Sequence, residues 1–409
     1  MKRAPLPAWL QERQRCIFLI ASGLSTAGSF AGLTAKGWIL MHGTGNALLL
    51  ALHFAALAMP SLLVSGPAGV LTDRIGSEKV LIRAQWGLFA SAVLGALAIP
   101  LLSNRPQVLL LLLSSLLSGV ASSYELTARN KYTALLVDRP EQLAPYLASF
   151  SVVFNVGKLV GPPLGGWLVA LSGPSMALTI DAASFLVPIA TVIWLLRPHA
   201  ESEQLSLPGS MATLGAAWRH CGPTLRHVLR FTALACLLSF FHPGLAALIA
   251  ARVVGPSPQA LGVFTSVLAA GSIAGGVVLQ QNSHWLSERP GLLLGGSLVV
   301  TAAAQLGMAL SGGMLLSLAM AFLIGGGTAS LLAGTNLISQ VGAPIALRGR
   351  MAGLGQIAFL GGGGLSGVLA ALLSTRVGLM PTFAVLGTAG LALGVAELLG
   401  RGGLRLRSQ

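Results

Sequence analysis

The chain contains 409 residues, of which 54% are apolar and only 9% are charged, and its 25 Lys and Arg against 11 Asp and Glu give a net charge of +14. Soluble globular proteins carry about 25% charged residues, so this composition excludes an ordinary water-soluble domain, and the apolar content excludes a disordered chain. A basic excess can indicate binding to nucleic acid or to a membrane. The apolar fraction favours an integral membrane protein that does not bind nucleic acid. The three cysteines have no metal-binding spacing, so we expect neither a metal site nor a disulfide framework.

Twelve apolar segments are long enough to cross a bilayer, because a helix needs about 20 apolar residues to cross ~30 Å of hydrocarbon. We number these predicted spans 1 to 12, and their cores are residues 16–41, 47–71, 80–102, 107–128, 146–171, 175–197, 226–250, 259–281, 291–311, 314–338, 351–374 and 381–400. A polar stretch separates spans 6 and 7. We therefore predict an all-α integral membrane protein with two six-helix bundles, at residues 1–197 and 226–409, joined by a cytoplasmic linker at 198–225.

The two halves contain an internal repeat. Residues 161–171, GPPLGGWLVAL, align without gaps with residues 362–372, GGGLSGVLAAL, so span 5 corresponds to span 11 with an offset of 201 residues. Many membrane transporters are built from such repeats. The alignment therefore favours a pseudo-symmetric pair of bundles.

Positive charges are distributed asymmetrically between the two sides of the membrane. If the N-terminus is cytoplasmic, 20 of the 25 Lys and Arg lie in cytoplasmic segments, three lie outside (Arg105, Arg252 and Arg376), and two lie within spans (Lys36 and Lys158). Cytoplasmic loops of membrane proteins are enriched in Lys and Arg. We therefore predict that both termini are cytoplasmic in a multi-pass protein of the bacterial cytoplasmic membrane.

A charged motif follows span 2. Its residues are Gly69, Asp73, Arg74, Gly76 and Lys79. The motif resembles the cytoplasmic loop signature of the major facilitator superfamily, which implies that Asp73 approaches the start of span 11 near Arg350 and holds an inner gate closed. Ser77 stands where the family usually has a basic residue, so only part of this charge relay carries over. The alternative is a solvated loop with a chance Asp-Arg pair.

A motif rich in glycine and proline lies in span 5. Its residues are Gly157, Gly161, Pro162, Gly165 and Gly166. It resembles the antiporter motif of major facilitator exporters, which implies outward transport. Small residues permit close helix packing, and a proline within a helix removes a backbone hydrogen bond and bends the helix. Ordinary small-residue packing is the alternative.

Further segments resemble the enterobactin-exporter-like branch of the superfamily, which also contains macrolide-efflux proteins. These segments are the loop 128–141, Lys158 before the Gly-Pro pair, residues 181–185 and residues 348–351. The resemblance implies a monomeric secondary transporter without cofactors, which exports a siderophore-like or drug-like small organic molecule by alternating access with protons as the coupling ion. Two proton-coupling features of relatives are missing: Ser29 replaces an acidic residue in span 1, and span 4 lacks an arginine motif.

Ionisable residues within the spans are candidates for binding substrate or protons, because charge in a bilayer is costly. We expect Lys158, near the middle of span 5, to bind an anionic substrate group or to pair with a carboxylate. Asp181, inside the outer end of span 6, could carry a proton or brace helices. Lys36, near the outer end of span 1, is expected to extend its amine outward to the interface. His242 in span 7 could titrate near neutral pH or pack as a neutral side chain.

Other candidates lie at the inner ends and on the helices that line the central cavity of the superfamily. Glu125 and Arg129, spaced i, i+4 at the end of span 4, can pair on one helix face, and we expect either a contribution to the inner gate or a local pair. Candidate cavity residues on spans 1, 4, 7 and 10 are Thr26, Phe30, Ser118, Ser122, Phe240, Phe241, Thr328 and Asn336.

The sequence does not predict an enzyme. It contains no GxxxxGK[ST] loop for nucleotide hydrolysis and no GxSxG or HExxH motif. An importing symporter would have the same fold and orientation, and only the motif in span 5 argues against it. A receptor or assembly factor that transports nothing is a third possibility, against which the charges inside the membrane argue.

Overall fold

The computed structural model describes residues 8–137, 140–196, 218, 222–282, 289–341 and 348–401. Helices joined by short turns form these ranges, and none of the described residues lies in a β-strand. The helices are α1 Ala8–Thr44, α2 Ala47–Ala58, α3 Pro60–Ile75, α4 Ser77–Leu101, α5 Asn104–Ala134, α6 Pro140–Ala190 with a π-helical turn at Thr191–Leu195, α7 Pro223–Ser239, α8 Ala246–Val253, α9 Pro258–Gln281, α10 Pro290–Leu310, α11 Met314–Val341, α12 Arg348–Val377 and α13 Leu379–Arg401.

These helices account for the twelve predicted spans. In the described part of the chain, ten helical segments are long and apolar enough to cross a membrane. One of them, Val152–Leu195, contains both span 5 and span 6, because Gly173 with φ 80° interrupts the helix between them. Span 7 consists of α7 and α8, which have 17 and 8 residues and are each too short to be counted. The prediction of an all-α protein with twelve spans is confirmed.

The interruption of span 7 has a local cause. Residues 240–245 between α7 and α8 are not helical, and Pro243 lies within them. Proline cannot donate a backbone hydrogen bond, and its ring collides with the preceding turn. Non-helical backbone at membrane depth is tolerated only where protein or a water-filled cavity surrounds it. This segment is enclosed by protein, since Phe241, His242 and Leu245 are all buried.

The chain forms two compact units. The first comprises Met1–Ile39 and Leu63–Ser210, and the second comprises Leu40–Leu62 and Met211–Gln409. The second unit therefore includes α2, which precedes the linker by more than a hundred residues and packs against α12. Small residues permit this contact: a Cβ on Gly367 would lie 3.7 Å from Ala51 Cβ.

Each unit has its own apolar core, and large apolar side chains also cover the outside. Phe18 and Tyr132 are buried in the first unit, and Phe231 and Leu298 in the second. Exposed apolar side chains are found at several spans, with Ile20 70%, Leu101 71%, Leu310 86% and Leu399 84% exposed. Extensive apolar surface of this kind marks contact with lipid or with other protein. The large apolar surface of this chain agrees with a multi-pass membrane protein.

Candidate functional site

Two buried ionisable residues of the first unit, Lys36 on span 1 and Asp181 on span 6, lie on helices that contact each other. Lys36 is 5% exposed and Asp181 is 6% exposed, and the two groups interact electrostatically. Gly32 makes room for the carboxyl group, because a Cβ there would lie 2.6 Å from Asp181 Cγ. Among the described residues, none donates a hydrogen bond to Asp181 Oδ1. The carboxyl group therefore has one nearby cation and one unused acceptor atom.

The structure corrects the expectation that Lys36 extends outward to the interface. Its Cε lies beside span 3, where it is 3.2 Å from the position of a Cβ on Gly95. Ser114 Oγ lies 3.2 Å and Leu178 Cδ1 lies 3.6 Å from the same point. The missing side chain of Gly95 thus leaves a gap for the aliphatic stem of Lys36, and Asp181 supplies the opposite charge inside the bundle.

Glycines on span 1 bring span 6 close enough for this pair to form. Gly28, one turn before Gly32, faces Ser184, and a Cβ on Gly28 would lie 2.6 Å from Ser184 Cβ. Ser184 Oγ in turn donates to the main-chain oxygen of Asp181 at 2.7 Å. Gly28, Gly32 and Lys36 follow at i, i+4 and i+8 and therefore share one helix face. Sequence analysis missed the two glycines, although this spacing of small residues is a signal of close helix contact.

The glycines of span 5 pack on the backbone of span 1. A Cβ on Gly161 would lie 2.5 Å from the main-chain oxygen of Ala27, and a Cβ on Gly165 would lie 2.6 Å from Ala31 Cα. Gly157 faces Thr26 in the same way, with 3.0 Å from its Cβ position to Thr26 Cβ. The backbone remains helical through Pro162, since Gly173 is the interruption within α6.

The repeat-equivalent glycine in span 11 makes the equivalent contact in the second unit. A Cβ on Gly362 would lie 3.0 Å from Cys236 Cβ and 3.2 Å from the carbonyl carbon of Ala233 on span 7. Spans 8 and 10 also touch through glycine, since a Cβ on Gly325 would lie 2.9 Å from the carbonyl carbon of Leu268. Sequence analysis missed this second contact, although Gly325 opens a run of three glycines.

Lys158 is half-buried on span 5, beside the glycines that contact span 1. The cation that acts on Asp181 is Lys36 and not Lys158, so the structure does not join the two predicted substrate or proton residues into one pair. Phe30 of span 1 packs edge-on against Phe154 of span 5, with 5.9 Å between ring centroids. Thr26 and Phe30, two candidate cavity residues, therefore both contact span 5, which is the helix that carries Lys158.

The charged motif after span 2 pairs with span 4. Lys131 Nζ donates to Asp73 Oδ1 at 2.9 Å, with side chains 31% and 40% exposed. Sequence analysis missed this partner, since a separation of 58 residues carries no local signal. The predicted partner, Arg350, has its side chain outside the described residues.

Gly76, with φ 92°, ends the turn before α4 in a conformation that glycine adopts without strain.

At the end of span 4 that is predicted to be cytoplasmic, the structure shows the local pair of Glu125 and Arg129. Arg129 Nη1 lies 3.2 Å from Glu125 Oε1, and Gln85 Nε2 of span 3 donates to the same oxygen at 3.4 Å. Glu125 is 8% exposed. A buried carboxylate with two donors is stabilised in place, so Glu125 links spans 3 and 4.

The family is established by comparison with known proteins. A family model described as transmembrane secretion effector matches residues 4–404. The chain belongs to this family. It is 25% identical over 399 residues to the multidrug efflux pump Tap of Mycolicibacterium fortuitum, covering 93% of this chain and 95% of the relative. Tap of Mycobacterium tuberculosis, strain H37Rv, is 24% identical over 207 residues, which are 48% of each chain.

Solved structures show the fold. The nucleoside transporter NupG matches with a TM-score of 0.70 at 14% identity, covering 94% of this chain and 98% of that chain. A bacterial homologue of the human lysosomal transporter Spinster matches with a TM-score of 0.71 at 14% identity, covering 97% and 96%. This secretion-effector protein thus has the major facilitator fold. It is a multi-pass membrane transporter of small molecules, as predicted, and not an enzyme.

Two candidate cavity residues of this secretion-effector protein are buried inside the second unit, which corrects the prediction for them. Phe241 is 0% exposed and packs on Phe383 with 4.8 Å between ring centroids. Thr328 is 3% exposed, and its hydroxyl donates to Ile324 O at 2.8 Å. Both side chains have packing roles here, because neither faces open space.

The remaining candidates on span 7 form an aromatic cluster. Phe240 lies 4.6 Å from the ring centroid of Phe359 and 5.1 Å from that of His242. His242 is 5% exposed. Of the two alternatives for this histidine, the packed position beside Pro243 agrees with the structure.

A histidine–carboxylate contact links spans 7 and 12 at the ends predicted to be cytoplasmic. His227 Nε2 lies 3.0 Å from Glu397 Oε1 and 2.9 Å from Glu397 Oε2. Glu397 is 8% exposed, so this carboxylate is buried and paired within the second unit.

We expect His227→Ala to lower the free energy of unfolding by about 1–3 kcal/mol, because a buried acceptor that loses its partner bears the desolvation cost. His227→Gln, which keeps a donor, should lose less than half as much. Thermal unfolding of the purified protein measures both variants. Equal stability of wild type and His227→Ala would contradict the assignment.

Proposed function

We propose that this transporter exports a drug-like amphiphilic organic molecule across the bacterial cytoplasmic membrane in exchange for protons, and that it works as a monomer with both termini in the cytoplasm. Export is supported by the likeness to Tap, a multidrug efflux pump, over 93% of the chain. The glycine contacts of Gly161 and Gly165 fit the exporter motif that span 5 resembles. The orientation is supported by the positive charge in the predicted cytoplasmic segments.

Proton coupling is supported by the buried pair of Lys36 and Asp181, and this observation carries the proposal. When Asp181 is ionised, Lys36 compensates its charge within the bundle. When Asp181 takes up a proton, Lys36 becomes an uncompensated buried cation, which is costly in a membrane. Protonation therefore changes which arrangement of span 1 against span 6 has the lower free energy. An ion gradient can drive alternating access through such a two-state element.

Substrate binding is assigned to the surface of span 5 that carries Lys158. An ammonium group there can bind an anionic group of the substrate, and the nearby aromatic side chains of Phe30 and Phe154 can contact its apolar part. This combination favours an amphiphilic organic molecule over an inorganic ion. A siderophore-like substrate would satisfy the same chemistry, and the likeness to Tap favours a drug-like one.

The test uses inverted membrane vesicles, whose cytoplasmic face is outside, and a panel of fluorescent amphiphiles that includes ethidium and an anionic fluorescein ester. We expect uptake of at least one dye under an inside-acid gradient and its loss on addition of a protonophore. Lys158→Ala should raise the KM for an anionic dye. If Lys158→Ala and Asp181→Asn both transport like wild type, the site assignment is wrong.

Whole cells separate export from import. A deletion strain should accumulate more dye than its parent if the protein exports it, and complementation should lower the accumulation again. Lower accumulation in the deletion strain would instead support the importing symporter. Failure of every compound in a broad screen to bind or move would support the receptor or assembly factor.

A further inference from the structure

A groove of about 570 Å³ runs along the first unit between spans 3 and 4. Its walls include Arg83, Gly87, Ala90 and Leu94 of span 3 and Leu117 and Tyr124 of span 4. The four residues on span 3 are spaced i, i+4, i+7 and i+11, so they lie along one face of the helix. The groove therefore follows the helix axis and is mostly apolar along its length.

The groove is a depression because the residues along its floor are small. A Cβ on Gly87 would lie 3.2 Å from Ala121 Cβ, so spans 3 and 4 approach each other closely there. Larger apolar side chains line its walls, among them Leu94 and Leu117, and Leu117 is 44% exposed. A single extended chain of methylene groups fits such a channel better than a compact ring system does.

The length of the groove matches half of a bilayer. From Arg83 to Leu94 the helix rises about 16 Å at 1.5 Å per residue, and half of the hydrocarbon core is about 15 Å. Helix α4, which forms span 3, begins at Ser77, beside the charged motif assigned to the cytoplasmic side. Arg83, one and a half turns further, can extend its guanidinium group to the lipid headgroups.

The charge of the groove lies at one end. Arg83 is exposed, and none of the groove-lining residues in the described part of the chain is acidic. Two carboxylates that neighbour its lining residues in the sequence pair elsewhere: Glu125 pairs with Arg129, and Asp73 pairs with Lys131. A planar guanidinium group suits phosphate oxygens, and Tyr124 is a further lining residue with a polar group.

We propose that this groove binds one anionic phospholipid of the cytoplasmic leaflet, with an acyl chain along Gly87 to Leu94 and its phosphate group on Arg83. Basic pockets between membrane helices on the cytoplasmic side are suited to anionic headgroups. The inference requires the orientation given under the proposed function, but neither the transported molecule nor the direction of transport.

Native mass spectrometry of the purified full-length protein tests this site. Phosphatidylglycerol and phosphatidylcholine with identical acyl chains are added separately, and the bound fraction is measured. Wild type should bind phosphatidylglycerol about fivefold more tightly, the factor expected for one basic residue near an anionic group. Arg83→Gln should lose this preference, and Ala90→Phe, which fills the groove, should reduce binding of both lipids.

Matched controls place the effect at the groove. Arg105→Gln removes an exposed arginine at the opposite end of span 4, and Leu113→Phe enlarges an exposed apolar residue outside the groove, so both should bind lipid like wild type. An Arg83→Gln variant that keeps the fivefold preference would overturn the proposal, as would wild-type binding by Ala90→Phe. Full competition by soluble glycerol 3-phosphate would also overturn it, since the site would then recognise phosphate without the chain.

Discussion

Asp181→Asn is expected to abolish net proton-driven transport while substrate exchange across the membrane continues. Asparagine has the shape of aspartate, so it still fills the space opposite Gly32, but it cannot bind and release a proton. In inverted vesicles the initial rate under an inside-acid gradient should fall to the rate seen with a protonophore. Counterflow, in which labelled substrate exchanges with unlabelled substrate without net proton movement, should be retained.

The same variant should be less stable than wild type because it leaves Lys36 as a buried cation without its carboxylate. Removal of one partner from a buried ion pair typically costs about 3–5 kcal/mol. Replacement of both partners by neutral side chains of similar volume is often neutral. The double variant Lys36→Met with Asp181→Asn should therefore regain most of the stability and none of the proton-driven transport, and this difference separates a role in coupling from a role in folding.

Glu12→Gln is the matched control, because Glu12 is an exposed carboxylate near the start of α1. This substitution should change neither the stability nor the rate of proton-driven transport. Proton-driven transport by Asp181→Asn at the rate of wild type would contradict the assignment of Asp181. If the double variant neither folds nor catalyses counterflow, Lys36 and Asp181 stabilise the helix bundle and do not couple transport to protons.

Features that depend on local sequence could be predicted. Hydropathy over about 20 residues predicts a membrane span, and the spacing of small residues predicts a helix face suited to close contact. The repeat between spans 5 and 11 also lies in the sequence, and the contacts of Gly161 and Gly362 agree with it. The interruption of span 7 is a local effect as well, since residues 242–244 are His-Pro-Gly and proline bends a helix.

Features that depend on helix rotation and partner choice could not be predicted. Lys36 and Asp181 are 145 positions apart in the sequence, and their placement depends on two separate glycines, since Gly32 faces Asp181 and Gly95 faces Lys36. Depth along a helix suggested that Lys36 reaches water, whereas rotation about the helix axis turns it inward. Asp73 likewise pairs with Lys131, because the packing of span 2 against span 4 brings these two residues together.

Gly165→Ala is expected to destabilise the protein, although alanine is the better helix former. In an exposed helix interior, replacement of glycine by alanine is favourable by about 1 kcal/mol. At Gly165 the new Cβ would lie 2.6 Å from Ala31 Cα, on the backbone of span 1. A backbone cannot rotate away as a side chain can, so the two helices must separate, at a cost of about 1–3 kcal/mol for overpacking.

Gly296→Ala gives the matched control on span 9. Among the described residues no atom lies within 4 Å of a Cβ built at Gly296, so this variant should be as stable as wild type or more stable. Thermal unfolding of the purified variants should therefore give shifts of opposite sign for the two alanine substitutions. If Gly165→Ala unfolds at the temperature of Gly296→Ala, spans 1 and 5 are not in backbone contact.

The same substitution should also impair transport, because span 1 connects the two contacts. Ala31, which touches Gly165, is followed directly by Gly32, which faces Asp181. A displacement of span 1 away from span 5 must therefore move Gly32 and Lys36 relative to span 6. We expect Gly165→Ala to lower the proton-driven rate more than the counterflow rate, which would show that the glycine motif of span 5 acts on the charge pair through span 1. Equal loss of both rates would limit the motif to helix packing.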